Sequence, residues 1–135
     1  MPTNLSEIGR ALKRAQYRHH VTIERELGSI GTTIVQWDTL RVINEAPGSS
    51  AHDLAVASFQ SDQAFGTLAL RLVEKGLIER RPGAGRRIEH HLTADGERML
   101  RDGQQIADAT VAASFAPLTP AERENLYALL ERVGR

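Results

Sequence analysis

The segment from Ala51 to Thr93 constrains the fold most, because two helical patterns there are followed by two short strand patterns. In the second helical pattern, apolar residues recur at steps of three and four, which is the spacing of a helix face that packs on a core. These residues are Phe65, Leu68, Ala69 and Leu72. Ser61 can cap the start of this helix, and Gly76 is a stop signal at its end.

The opposite face of this second helix carries mostly small or hydrogen-bonding side chains, so it can enter a groove. Its members are Gln63, Gly66, Thr67, Leu70 and Arg71. A shorter helix is expected to begin at about Ala51, since Ser50 and Asp53 have the spacing of a capping box. Ser58 to Gln60 would then join the two helices, with Phe59 in place of the usual turn glycine.

After the second helix, residues 77–81 and 87–92 have the pattern of two strands joined by the turn Pro82-Gly83-Ala84-Gly85. Alternation puts His90 on the inner face of the second strand, where a core position is expected, and His91 on the solvent side. A helix, a turn, a second helix and a hairpin together predict a winged helix.

The remainder of the chain is predicted to be helical. The expected ranges are 5–27, 34–43 after the cap Thr33, about 94–113 after the cap Thr93, and a last helix that begins at Thr119-Pro120-Ala121-Glu122. In the 34–43 helix, Trp37, Leu40 and Ile43 form the expected buried stripe. The first helix and the last two carry more apolar surface than a winged helix can cover, and a second copy of the chain is the simplest partner.

Composition excludes several classes of protein. The chain has no cysteine, which excludes disulfides, thiolate metal sites and thiol redox sensing. It also has no apolar run of membrane-spanning length, and its first residues are polar and charged, so we expect a cytoplasmic protein with no membrane partner. Because the formal net charge is zero, any affinity for nucleic acid must depend on where the charges lie.

A series of short motifs runs in order through nearly the whole chain. It comprises Gln36-Trp37, Leu54-Ala55, Ser61-x-Gln63, Leu68, Leu72, Gly76-Leu77, Glu79-Arg80-Arg81-Pro82, Leu92-Thr93-x-x-Gly96 and Leu118-Thr119-x-x-Glu122. In order and spacing, these motifs resemble the MarR family of bacterial winged-helix transcriptional regulators. One departure lies in the wing, where the family's Asp-Arg pair is replaced by Ala84 and Gly85 and the wing is shorter.

The resemblance implies one mainly α domain over residues 1–135, with a small β-hairpin wing that makes it α+β. Residues 34–93 would form the DNA-binding lobe, and residues 1–30 and 94–135 the helical dimerisation region. A homodimer would dock two winged helices on a pseudo-palindromic site in double-stranded DNA. The family also suggests repression relieved by a small, often aromatic, ligand; no cofactor, metal or catalytic residue is expected.

For DNA contact, the hairpin from Arg80 to Arg87 offers four arginines and no acid, and arginine suits both phosphate and a narrow minor groove. On the second helix, Gln63 can bond adenine, Arg71 can reach guanine or phosphate, and a base edge or backbone suits Thr67. The expected DNA-binding residues are Ser61, Asp62, Gln63, Gly66, Thr67, Leu70, Arg71, Arg81, Arg86 and Arg87.

For the ligand, family position and side-chain type point to Tyr17, His20 and Trp37. Other functions remain open at this point. The winged helix could serve only as a protein–protein interaction module, or a metal could be sensed through His52, His90 or His91. A phosphate loop at Gly83-Ala84-Gly85 is disfavoured, since a hairpin turn accounts for these glycines.

Overall fold

The computed structural model describes residues 2–135, which form six α-helices and a two-stranded antiparallel sheet. In chain order the elements are α1 (Leu5–Ser29), α2 (Ile34–Glu45), α3 (Ala51–Ala57), α4 (Asp62–Glu74), β1 (Ile78–Pro82), β2 (Ile88–Leu92), α5 (Ala94–Phe115) and α6 (Pro120–Val133). The predicted fold class, mainly α with a small hairpin wing, is confirmed. Within this part of the chain, no helix is long and apolar enough to cross a membrane.

The predicted helix starts are confirmed where local hydrogen bonds define them. The side chains of Thr33, Ser50, Ser61 and Thr119 each accept a hydrogen bond from the backbone N–H three residues later. At Thr119, the side chain of Glu122 also accepts a bond from the backbone of the cap, which completes a capping box. These bonds satisfy N–H groups that have no partner within the first turn of a helix.

The hairpin strands begin one residue later than predicted. Leu77 does not start β1, because its N–H closes the end of α4 by donating to the carbonyl of Leu72. Arg87 does not start β2, because it belongs to the turn. Its N–H donates to the carbonyl of Ala84, and its own carbonyl accepts from Gly83. The paired register then runs from Ile78 opposite Leu92 to Pro82 opposite Ile88.

The described chain consists of two compact units. One comprises Glu24–Ile106 and contains the winged helix, and the other comprises residues 2–23 with Ala107–Arg135. The core of the Glu24–Ile106 unit is largely aliphatic. Its members are Leu40, Val42, Ile43, Leu54, Ala55, Phe65, Ala69, Leu72, Leu77 and Ile78. On α4 the predicted stripe is confirmed at three positions, whereas Leu68 is only partly buried.

Helix α2 differs from its prediction in what it buries. Leu40 and Ile43 are fully buried as expected, but Trp37 is only partly buried. Two polar residues that the periodicity did not single out, Gln36 and Thr39, are buried instead. The amide oxygen of Gln36 accepts hydrogen bonds from Thr32 and from Lys75, so the buried side chain of Gln36 has hydrogen-bond partners.

The segment between α2 and α3 extends the hairpin sheet by two backbone hydrogen bonds. The N–H of Gly48 donates to the carbonyl of His90 at 3.1 Å, and the N–H of His90 donates to the carbonyl of Ser49 at 3.2 Å. Gly48 lies at φ +85°, a backbone conformation that favours glycine. The base of the wing is thereby attached to the segment that leads into α3.

In the unit made of residues 2–23 and Ala107–Arg135, no described residue is buried. Its surface carries many large apolar side chains. The most exposed are Leu5, Ile8, Tyr17, Tyr127 and Val133. A helical unit with this much apolar surface and no interior of its own needs a further surface to pack against.

Candidate nucleic-acid interface

The groove-facing side predicted for α4 is exposed in the structure. Ser61, Asp62, Gln63, Thr67, Leu70 and Arg71 are all exposed, and Gly66 is partly exposed. Leu70 has 54% of its surface exposed, a large apolar side chain on an otherwise hydrogen-bonding face. The hydroxyl of Thr67 donates to the backbone carbonyl of Gln63 at 3.2 Å, one turn earlier on the same face.

Two features hold α4 in place behind this face. Phe65, Ala69 and Leu72 are buried in the core of the unit. At its carboxyl end, Lys75 donates hydrogen bonds to the carbonyl of Gly31 and to the buried amide oxygen of Gln36. Packing on one side and this lysine at one end fix the exposed side chains on a rigid element.

The turn between α3 and α4 contains an exposed phenylalanine in a left-handed conformation. Phe59 has φ +57° and 98% of its surface is exposed. It occupies the position where a turn glycine is usual, and a residue with a Cβ costs about 1–2 kcal/mol in this conformation. Its N–H still donates to the carbonyl of Val56, so the turn closes without glycine.

The four wing arginines form two groups, those with an acidic partner and those without. The sequence alone does not distinguish the two groups. Arg81 donates to the carboxylate of Glu79 on the same strand, and Arg87 lies 3.6 Å from the carboxylate of Asp53. Among residues 2–135, Arg80 and Arg86 have no acidic partner within ion-pair distance. The positive charge available to a polyanion is therefore concentrated on these two residues.

His52, which lies beside the start of α4, also belongs to this surface, although its sequence pattern does not indicate this. His52 Nδ1 lies 3.0 Å from Asp62 Oδ1, and both side chains are largely exposed. The hydrogen bond and the negative charge of Asp62 raise the pKa of His52, and the nearby Asp53 carboxylate adds to this effect. Because the signal is a contact between two helices, no local pattern in the sequence could have revealed it.

A cavity of about 470 Å³ lies between the wing and the start of α3. It is lined by Ala51, Arg80, Arg81, Pro82, Ile88 and His90. His90 is 1% exposed, which confirms its predicted core position, and its Nδ1 lies 3.1 Å from the carbonyl of Ser49. Since a carbonyl can only accept, Nδ1 carries the proton, and the unpaired Nε2 can accept a hydrogen bond.

The neighbouring histidine departs from its prediction. His91 was expected to face solvent, but it is partly buried, with Nε2 3.1 Å from the carboxylate of Glu89. The segment between α2 and α3 covers the side of β2 that carries Glu89 and His91. Both sides of the strand are therefore at least partly covered, and alternation alone does not predict which side chains face solvent. Over residues 2–135, no group of three or more potential ligand side chains is arranged to hold a metal ion.

The three residues predicted to bind a ligand lie on different parts of the chain. Tyr17 and His20 are exposed on α1, in the unit that includes residues 2–23. Trp37 belongs to the Glu24–Ile106 unit, where its Nε1 donates to the carbonyl of Leu100 at 3.1 Å. Its polar edge is therefore already occupied by the protein.

Comparison with known proteins relates this chain to one family of transcriptional regulators. The sequence model of the MarR family matches residues 30–88. A putative transcriptional regulatory protein for the hcr operon of Thauera aromatica is 33% identical over 132 residues, which cover 96% of this chain and 80% of that protein.

Two solved structures of the Mycobacterium tuberculosis MarR family protein Rv2887 also resemble the chain. Its complex with DNA has a TM-score of 0.82 at 25% identity, covering 99% of this chain and 100% of that one. Its complex with p-aminosalicylic acid has a TM-score of 0.76 at 25% identity, covering 98% of this chain and 100% of that one.

Proposed function

Since the chain belongs to the MarR family, we propose that it is a homodimeric transcriptional repressor that binds a specific DNA operator and responds to a small aromatic acid. The observation that carries this proposal is the exposed, hydrogen-bonding face of α4 next to a wing in which two arginines have no acidic partner among residues 2–135. Rv2887 is a transcriptional repressor that is 26% identical to this chain over 114 residues, and its complex with DNA supports the proposal.

In this proposal α4 lies in the major groove and reads bases. Gln63 bonds an adenine edge, and Arg71 reaches a guanine edge or a phosphate. Thr67 contacts a base edge or the backbone, and Leu70 meets a thymine methyl group. Ser61, with Asp62 and Gly66 beside it, brings the amino end of α4 close to a phosphate.

The wing supplies charge rather than base recognition. Arg86 is exposed and has no acidic partner in the part of the chain that the structure describes, so it is the wing residue best suited to the minor groove. Arg81 donates a hydrogen bond to Glu79, which keeps its guanidinium near the protein surface. It can therefore contact DNA only where the backbone lies close to β1. The absence of the family's Asp-Arg pair at Ala84 and Gly85 leaves this task to Arg86.

Dimer formation is supported by the unit of residues 2–23 and Ala107–Arg135, which buries none of its described residues. A second copy can cover the apolar side chains that this unit exposes. Two winged helices related by a two-fold axis would place their α4 helices about one duplex turn, roughly 34–36 Å, apart. The operator is therefore expected to be a near-palindrome.

The cavity under the wing is a suitable place for an aromatic acid. Its volume of about 470 Å³ is within the range of small-molecule sites. The guanidinium of Arg80 can pair with a carboxylate, and the unpaired Nε2 of His90 can accept a hydrogen bond from a phenol or amine. The complex of Rv2887 with p-aminosalicylic acid supports this ligand class. The alternative positions for the ligand are Trp37, within the same unit, and Tyr17 and His20, on α1.

The DNA-binding proposal is tested by fluorescence anisotropy with duplexes from both sides of the protein's own gene, and with random duplex, over a salt series. Gln63→Ala is expected to weaken binding to the preferred duplex by roughly 5- to 100-fold while leaving random duplex unaffected. Arg86→Ala should weaken both and reduce the slope of log K against log salt by about one.

Failure of the wild-type protein to bind any duplex at low salt would contradict the proposal and favour a protein–protein interaction module. For the ligand, p-aminosalicylic acid is added to the preformed DNA complex and is expected to release the DNA. Arg80→Gln should abolish this release. Release that persists in Arg80→Gln and is accompanied by a change in Trp37 fluorescence would move the ligand to the alternative position at Trp37.

A further inference from the structure

Two adjacent residues in the first turn of α3 each pair with a different element of the DNA-binding surface. His52 Nδ1 lies 3.0 Å from Asp62 Oδ1, on the first residue of α4. Asp53 Oδ2 lies 3.6 Å from Arg87 Nη2, in the turn of the wing. The same guanidinium nitrogen also donates to the carbonyl of Gly48 at 3.3 Å.

From this arrangement we propose that His52 and Asp53 form a clamp that sets the position of α4 relative to the wing, and that Arg87 is a positioning residue of this clamp. The proposal rests on the proposed function, because its consequence is for DNA recognition. It changes the role of Arg87, which the sequence assigned to direct DNA contact.

The surroundings of Arg87 support a positioning role. Its backbone closes the wing turn through hydrogen bonds with Gly83 and Ala84, and its side chain reaches back to the segment before α3. The carboxylate of Asp53, 3.6 Å away, offsets part of its positive charge. The adjacent Arg86 has no such partner among the described residues, so the two neighbours differ in what they can offer DNA.

Helix α3 is well placed to carry the two side chains of the clamp, His52 and Asp53. Leu54 and Ala55 are buried in the core, which fixes the helix to the unit. The preceding two residues are exposed, so their side chains are available to the neighbouring elements. Recognition requires α4 and the wing to meet their grooves at the same time, and a specific site needs its residues held to within about half an ångström.

If Arg87 positions the wing, its substitution should lower the selectivity for the preferred duplex over random duplex, and should not remove a phosphate contact. Phosphate contacts contribute equally to all sequences, whereas mispositioning affects the preferred duplex most. Arg87→Gln and Asp53→Asn should each lower the ratio of preferred to random affinity by roughly 3- to 10-fold. The double variant should be no worse than either single variant, because the two residues act as one unit.

The experiment measures this ratio and the salt slope by anisotropy for wild type, Arg87→Gln, Asp53→Asn, their double variant and the charge-reversed pair Asp53→Arg with Arg87→Asp. Arg86→Ala is the matched control on the next residue. Arg87→Gln should leave the salt slope unchanged, whereas Arg86→Ala lowers it by about one. The reversed pair should recover part of the lost ratio.

The clamp is overturned if Arg87→Gln lowers the slope by about one, weakens both duplexes equally, and Asp53→Asn does not reduce the ratio. Arg87 would then be a phosphate contact.

A measurement without DNA separates this inference from the proposed function. By NMR, Asp62→Asn should shift the pKa of His52 down towards its ordinary value, and the wing amides around Arg87 should become more mobile in both Asp53→Asn and Arg87→Gln. Unchanged wing order parameters in both variants would reject the clamp even if DNA binding is intact. If wild type binds no DNA but these changes occur, the proposed function fails and the clamp stands.

Discussion

Among individual residues, His90 is the one whose burial has the clearest electrostatic consequence. Its ring contacts Phe65 edge-on, with centroids 5.8 Å apart, and within the described chain one of its two nitrogens, Nε2, has no hydrogen-bond partner. Burial lowers the pKa of His90, the hydrogen bond to Ser49 opposes this, and the charges of Arg80 and His91 lower it further. The ring is therefore kept neutral in the folded state.

This burial predicts that acid destabilises the protein through His90. Its contribution is fully present above the unfolded pKa of about 6.5 and is lost as pH falls through the lower pKa of the folded state. Urea unfolding from about pH 7.5 to pH 5 should show this loss, and His90→Gln should make the pH dependence shallower. A pH profile identical to wild type in that variant would contradict the prediction.

His52 provides a control of opposite sign. Because its pKa is raised, its contribution is present below about pH 6.5 and is lost as pH rises through the raised value. His52→Gln should therefore remove a stabilising effect at acid pH, where His90→Gln removes a destabilising one. Comparison of the two variants separates these groups from the general effect of acid on the carboxylates.

Between elements, α5 packs closely against other parts of the Glu24–Ile106 unit at two glycines. A Cβ built at Gly103 would overlap the indole ring of Trp37, and one at Gly96 would overlap the carbonyl of Leu77. Trp37 also donates to the carbonyl of Leu100, one turn before Gly103. The glycine of the Leu92-Thr93-x-x-Gly96 motif thus allows the first turn of α5 to lie against the chain that enters β1.

Replacing Gly103 by alanine is expected to destabilise the protein by about 1–3 kcal/mol, because the added methyl group forces the helices apart. Trp37 is the only tryptophan, so its fluorescence should shift to longer wavelength as the ring becomes more hydrated. Gly66→Ala is the matched control, since nothing lies within 4 Å of its Cβ position. That variant should be more stable, by up to about 1 kcal/mol. Equal effects of the two substitutions would show that Gly103 is not a packing position.

At the scale of the whole molecule, the two units differ in what they can stabilise alone. The Glu24–Ile106 unit has a continuous core, whereas none of the described residues of the other unit is buried. On that second unit, Leu12 and Leu129 expose about half of their surface. Its helices start from good local signals, such as the capping box at Thr119, but local signals do not supply a hydrophobic core.

Leu129→Glu is therefore expected to dissociate the proposed dimer. Because less than half of the Leu129 surface remains to be buried, losing this burial removes roughly 0.7–1.4 kcal/mol per copy, so the dissociation constant should rise by about tenfold or more. Analytical ultracentrifugation over a concentration series measures this. Leu70→Glu, which replaces a leucine of similar exposure on α4, should leave the mass unchanged. A wild-type protein that is monomeric at all concentrations would reject the prediction.

Local physical rules explain which features of this protein could be predicted from its sequence. The caps at Thr33, Ser50, Ser61 and Thr119 and the buried stripe of α4 depend on residues within two turns of each other. Hydrogen-bond geometry and helix periodicity are set at that range, so the element order and the winged helix followed from the chain alone.

The tertiary structure decided how distant polar side chains are paired. Four wing arginines look equivalent in sequence, but Arg87 meets Asp53 and Arg81 meets Glu79, which leaves Arg80 and Arg86 unpaired among the described residues. The partial burial of His91 likewise depends on the segment before α3, which lies beside β2. The physical reason is the range of the interaction. Charge pairing and burial depend on distances in space, which folding sets between residues far apart in the chain.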